Sequence, residues 1–145
     1  MRKFPAYKTP LKLNLSCANK TLKGYLNIDI RDCGQEMVWD IRDGLPFPDS
    51  SVEEVFISHT LEHLDDDDSI ETLREMLRVL KPKGKAIVRV PHVISPTAFY
   101  VGHKTFWNES KVEALTRSEV SLGNFVIIEN HMQDGQLFFS FQKLT

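Results

Sequence analysis

The sequence predicts an α/β domain of three layers, its sheet mostly parallel, thin in helices on one face and closed by an antiparallel strand. Three observations carry this reading. Short apolar runs end on polar or acidic residues at Ile28-Asp29, Val38-Trp39-Asp40 and Phe56-Ile57-Ser58-His59. A stretch of helical spacing stands between the third of these and a fourth run, Ala86 to Val90. A hairpin signal, Gln133-Asp134-Gly135, separates two late apolar runs. Buried parallel strands read as apolar runs, and open α/β sheets bind ligands just beyond the carboxyl ends of their strands. Polar residues placed where each run stops therefore point to one crevice. It suits a nucleoside-like ligand, since carboxylates accept from hydroxyls and amines.

The elements follow in order. Leu11 to Leu15 alternates with Lys12 and Asn14 and reads as a first strand. Ser16 to Lys20 is a small-residue loop, and Tyr25 to Ile30 a second strand entered through Gly24. About nine residues between these strands leave no room for a full crossover helix. One sheet face is therefore expected to be thinly covered, and that face or an edge strand to pair in a homodimer. Glu36 to Arg42 reads as a third strand and Val52 to Ser58 as a fourth, with a Pro- and Gly-interrupted loop between them. Asp65 to Asp68 precedes Ile70, Leu73, Met76, Leu77 and Leu80, which share one helical face. Acids belong in a helix's first turn, so the run is a cap with a solvated face, not a calcium loop. Lys81-Pro82-Lys83-Gly84 ends that helix before the fifth strand, Ala86 to Val90. A long loop from Pro91 to Trp107 follows, then a helix capped by Asn108 and running through Arg117. Strands at Asn124–Glu129 and Leu137–Phe141 close the chain.

A chain of 145 residues is one domain, 1–145, and 41% hydrophobic residues can build its core. Eighteen basic against twenty acidic residues give a net charge of −2, so no basic excess points to nucleic acid or an anionic membrane. No apolar run approaches the roughly 18 residues of a membrane span, and Met1 to Pro5 lacks the apolar core of a leader peptide. Cys17 and Cys33 have neither metal nor redox spacing, which predicts free thiols in a cytoplasmic setting.

The order "LNLSCANK … YLNIDI … VWDIRDGLPFPDSSVEEVFISHTLEH … REMLRVLKPKGKAIVRVP" resembles the class I S-adenosylmethionine-dependent methyltransferases, in particular a small bacterial, type 11-like branch. The match covers roughly residues 11 to 91. The resemblance implies a Rossmann-like, seven-stranded sheet and methyl transfer from S-adenosylmethionine to an unidentified small-molecule or glycan acceptor. Carried over by position, Ser16, Cys17 and Ala18 meet the methionine end of the cofactor. Asp29, with Ile30 beside it, meets the ribose. Asp40 and the backbone of Ile41 meet the adenine, and Ser58 and His59 face the methyl group. The family's loop carries Gly-x-Gly where this chain has Ser16 and Ala18. A side chain there strains the turn or crowds the ligand, so a catalytically silent binding or subunit module is the alternative. A dinucleotide oxidoreductase fits poorly, because the loop has no glycine.

His59-Thr60-Leu61-Glu62-His63 spells H-x-x-E-H, an inverted zinc-protease motif that works on a helix. Here its first histidine directly follows a strand, so no metal site is expected. Glu62 and His63 then line or flank the crevice. His59, His63, His92 and His103 are candidates for a general base, needed only if the acceptor keeps a proton at neutral pH. His59 is first among them as the catalytic residue. Phe99, Tyr100, Phe106 and Trp107 are candidates to wall an acceptor pocket.

Overall fold

Seven strands form one sheet in the order β3-β2-β1-β4-β5-β7-β6. They are β1 (Lys12–Leu15), β2 (Leu26–Asp29), β3 (Met37–Val38), β4 (Val52–Ser58), β5 (Leu80–Pro91), β6 (Phe125–Gln133) and β7 (Gln136–Lys143). The pairs from β3 through β5 are parallel, while β7 runs antiparallel to both β5 and β6. This is the mostly parallel sheet with an antiparallel C-terminal strand that the sequence predicts. The computed structural model describes residue 7 and residues 9–145, so the reading of Met1 to Pro5 lies outside the described residues. No described helix is long and apolar enough to cross a membrane.

Period-2 alternation gives the sheet one apolar face. Leu13, Leu15, Val55, Ile57, Ala86, Val88, Phe139 and Phe141 are buried on it. Helices α1 (Asp66–Val79) and α2 (Glu109–Ala114) share that core through Leu73, Met76, Leu77 and Val112. The acidic run starts α1 as expected: Asp65 accepts from Asp68 N–H at 2.8 Å, and three aspartates occupy the first turn. Asn108 caps α2 in the same way, at 2.9 Å from Lys111 N.

The other face alternates into Lys12, Glu54, Phe56, Lys85, Arg89, Phe138 and Gln142, and among the described residues no helix packs on it. Two buried asparagines do part of a helix's work there. Asn14 Nδ2 donates to Asn27 Oδ1 at 2.8 Å and to Lys20 O at 3.1 Å. Asn27 Oδ1 also accepts from Leu22 N at 2.8 Å. The 16–24 loop is thus drawn down over β1 and β2, the thin cover that the short connection predicts.

Several element bounds differ from expectation. The third ladder spans only Met37–Val38, because Asp40 leaves the sheet to cap a 3-10 turn, Ile41–Asp43, accepting from Arg42 N at 3.0 Å. Helix α2 stops at Ala114, short of Arg117. Strand β5 starts at Leu80, so Lys81 to Gly84 lies inside the strand, beside a register shift at Val52/Glu54. Gly84 is required there, since a Cβ would come within 2.8 Å of Lys81 O. The last two strands are longer than expected and meet at Asp134 (φ +53°) and Gly135 (φ +75°). Two left-handed residues make the tight hairpin turn whose twist matches its strands.

Candidate active site

The turn after β1 has a backbone that glycine normally supplies. Ser16 and Ala18 sit at φ +54° and +47°, a left-handed conformation that costs an L-residue about 1–2 kcal/mol. Three hydrogen bonds hold it. Cys17 N donates to Ile28 O at 3.0 Å, Lys20 N to Cys17 O at 2.8 Å, and Ala18 N to Asp29 Oδ2 at 2.8 Å. Asp29 is buried at the end of β2, and its Oδ1 accepts from Arg31 N at 2.9 Å. Burial, then the charge of Asp29, pushes the Cys17 thiol above its ordinary value.

Beyond Asp29, Ile30 is exposed. Trp39 N donates to Asp29 O at 2.9 Å and holds the start of the Asp40 segment against β2. Asp40 faces Arg42, which donates to Oδ1 from Nε at 3.1 Å and to Oδ2 from Nη2 at 2.9 Å. These bonds hold the Asp40 carboxyl below its ordinary range. Ile41 is buried at the start of the 3-10 turn. The following Gly44-Leu45-Pro46-Phe47 loop is clamped to α1. Arg78 donates to Leu45 O at 3.0 Å and Phe47 O at 2.9 Å, and Glu75 accepts from Leu45 N at 2.9 Å.

A groove of about 470 Å³ opens beside the β1 turn. It brings together Ser16, Cys17, Ala18, Ser58 and His59 of the predicted set, and adds Asn14, Lys20, Phe56, Arg89 and Gln136. Asp29, Ile30, Asp40 and Ile41 are not among its lining residues. His59 follows β4 at φ +54°, another left-handed residue. Its Nε2 lies 3.2 Å from Gln136 Oε1 and its Nδ1 3.8 Å from Glu62 Oε1. Gln136 Oε1 is an acceptor, so Nε2 carries the proton and Nδ1 the lone pair. Burial lowers the affinity of this imidazole for a second proton, against the hydrogen bond to Gln136 that raises it.

The other candidates separate. His92 is buried, bonded through Nε2 to Glu109 and accepting at Nδ1 from Ile94 N at 3.1 Å, so it fastens the start of α2. Trp107 is in the core, stacked on Phe139 with centroids 5.7 Å apart. Phe99, Tyr100 and Phe106 are exposed. His103 is carried beside Glu62 and His63, because Lys104 N and Thr105 N both donate to Glu62 O, at 2.7 and 3.2 Å. No sequence spacing announces that approach. Arg89 has no sequence signal beyond being the one charge in Ala86 to Val90. Its guanidinium lies between the rings of Phe56 and Phe138, at 5.4 and 5.0 Å.

These residues fit an adenosine-bearing cofactor. A carboxylate has about four lone-pair sites. Asp29 spends two on backbone N–H groups and keeps two for vicinal hydroxyls. Asp40 is held by a partly exposed ion pair, an interaction weak enough for a ligand amine to share.

The model of the methyltransferase-domain family matches residues 15–88, just over half of the chain. No curated protein matches the chain by sequence. Many solved structures match it in fold. An S-adenosylmethionine-dependent methyltransferase from Archaeoglobus fulgidus is 16% identical, with a TM-score of 0.69 over 91% of this chain and 85% of that one. The PH0226 protein of Pyrococcus horikoshii is 17% identical, with a TM-score of 0.70 over 94% and 82%. Phosphoethanolamine N-methyltransferase 2 of Haemonchus contortus, solved with phosphomonomethylethanolamine and S-adenosylhomocysteine, is 16% identical, with a TM-score of 0.68 over 98% and 51%. At such identities the likeness shows the fold. The chain belongs to the methyltransferase-domain family of class I methyltransferases, and S-adenosylmethionine is the cofactor of its fold.

Proposed function

We propose that the chain transfers a methyl group from S-adenosylmethionine to an oxygen-bearing small molecule or glycan held in the groove beside His59. One observation supports this most: a turn without glycine still takes the glycine backbone at Ser16 and Ala18 and is tied to Asp29. Strain persists where the surroundings over-determine it, and it clusters at functional sites.

When bound, the cofactor supplies a methyl carbon on positively charged sulfur, open to in-line displacement. Ser16, Cys17 and Ala18 hold its methionine end, and Asp29 accepts the ribose hydroxyls. Asp40 accepts the adenine amine between Ile30 and Ile41, and Ser58 and His59 face the methyl side. Burial disfavours the charged form of His59, which suits its Nδ1 to take a proton from a hydroxyl. Lys20, Arg89 and Gln136 give the groove a polar, cationic wall suited to a hydroxylated or anionic acceptor. A reducing, cytoplasmic setting belongs to this proposal and suits two free thiols, buried Cys17 and exposed Cys33. So does self-association through β6, an edge strand that exposes Val126, Ile128 and Met132.

Titration calorimetry with S-adenosylhomocysteine tests the central claim. The expected result is one site per chain, lost in Asp29→Ala. An absence of heat and of thermal shift at about 1 mM ligand, an affinity weaker than ~4 kcal/mol, would overturn it. The reading left standing would be a silent binding or subunit module, with both Asp40 oxygens left to Arg42.

A further inference from the structure

We propose that Glu62, His63 and His103 form a binding site for a divalent transition-metal ion of the zinc class, next to His59 of the groove. One ligand atom from each of the three lies within 4.8 Å of the others. A tetrahedral ion with bonds of ~2.0–2.1 Å sets its ligands about 3.3 Å apart, so the three need only draw together. Two imidazoles and one carboxylate are a donor set for such ions and leave coordination positions open.

Three features favour a cation there. Glu62 is 2% exposed, and its Oε2 finds no hydrogen-bond donor among the described residues. A buried carboxylate without donors is costly, and a cation on it would offset that cost; its other oxygen, Oε1, lies 3.8 Å from His63 Nε2. His103 is already oriented as a ligand: its Nδ1 donates to Ala98 O at 3.1 Å, which leaves the Nε2 lone pair free. Metal-bound histidines are commonly fixed by such a bond from the other ring nitrogen. The loop that delivers His103 is pinned to the carbonyl of Glu62 itself by Lys104 N and Thr105 N, so ligand and loop are positioned together. The rings of His63 and His103 meet edge to face, 4.6 Å between centroids.

The ion's place assigns it a role, which rests on the methyl-transfer reading. His59 Nδ1 lies 3.8 Å from Glu62 Oε1. An acceptor oxygen ligating the ion would therefore sit beside His59, which lines the groove. The substrate class is then an oxygen acceptor that can ligate a metal, such as a vicinal diol.

The test uses the full chain without an affinity tag, stripped with chelator and titrated with Co2+ and with Zn2+ alone, by calorimetry and visible absorption. One equivalent of ion per chain is expected, with the absorption bands of Co2+ in a low-coordinate site and a rise in melting temperature. His63→Ala and His103→Ala, both at partly exposed positions, each weaken binding by about tenfold or more, as does Glu62→Gln. His131→Ala, whose imidazole faces Glu129 on another part of the surface, leaves it unchanged. No uptake at about 1 mM Zn2+, or uptake equal in all four variants, overturns the site. Because cofactor and acceptor are absent from this titration, its failure leaves the methyl-transfer reading intact, and failure to bind S-adenosylhomocysteine leaves the metal site intact.

Discussion

Ala18 shows what one methyl group can decide. Its left-handed backbone costs about 1–2 kcal/mol, while glycine there would cost ~0.4–1 kcal/mol in the unfolded chain. Ala18→Gly should therefore stabilise the protein by about 0.5–1 kcal/mol, a melting rise of ~2–3 °C. If the turn cradles a ligand, the same change also tightens S-adenosylhomocysteine by about tenfold. Scanning calorimetry reads the first effect and titration the second, and a melting fall would show the turn is relaxed as it stands. At this scale the sequence was legible where chemistry and position coincide. Asp29 is a strand-end acid in an apolar run, and it does close the β1 turn. Glu62 and His103 were not legible as a unit. Forty residues separate them, and two backbone hydrogen bonds to one carbonyl decide that they meet.

The best-fastened element near the site is the Leu45–Phe47 loop. Arg78 and Glu75, on one face of α1, bind it through its backbone. Burial pushes the Glu75 carboxyl up, but the bonds from Arg78 and Leu45 N outweigh it and hold the group below its ordinary value. A carboxyl lowered in the folded state adds stability that is fully present above its unfolded value, 4.5, and is lost as pH falls through the folded one. Glu75→Gln should cost about 1–2 kcal/mol at pH 7 and flatten the acid limb of a stability profile below pH ~4.5. Urea melts across that range check it, and an unchanged acid limb would remove Glu75 from the clamp. Of the elements with long patterns, β4 lies where periodicity puts it, and so does α1 apart from Leu80, which opens β5. Those governed by short-range competition do not: Asp40 prefers its own cap to the ladder, and Lys81 to Gly84 is drawn into β5 by the neighbouring strand.

The molecule carries its apolar core on one side of the sheet. The missing layer was partly readable, because Ser16 to Gly24 is too short for a crossover helix. What replaces it was not, since an Asn14–Asn27 pair has no signature in spacing. On the uncovered side, Lys12 and Arg89 lie over rings of Tyr25, Phe56 and Phe138, which suits a face in contact with water. Val126, Ile128 and Met132 face outward on β6, where the sheet stops. A strand that ends a ladder keeps one row of amides and carbonyls unspent. Two copies joined there back to back would run as one unbroken ribbon across a twofold axis, each supplying what the other lacks. Multi-angle light scattering should then report twice 16.7 kDa, falling to one chain's mass when Ile128 is replaced by lysine; a single-chain mass for the unaltered protein would leave β6 a solvent-facing rim.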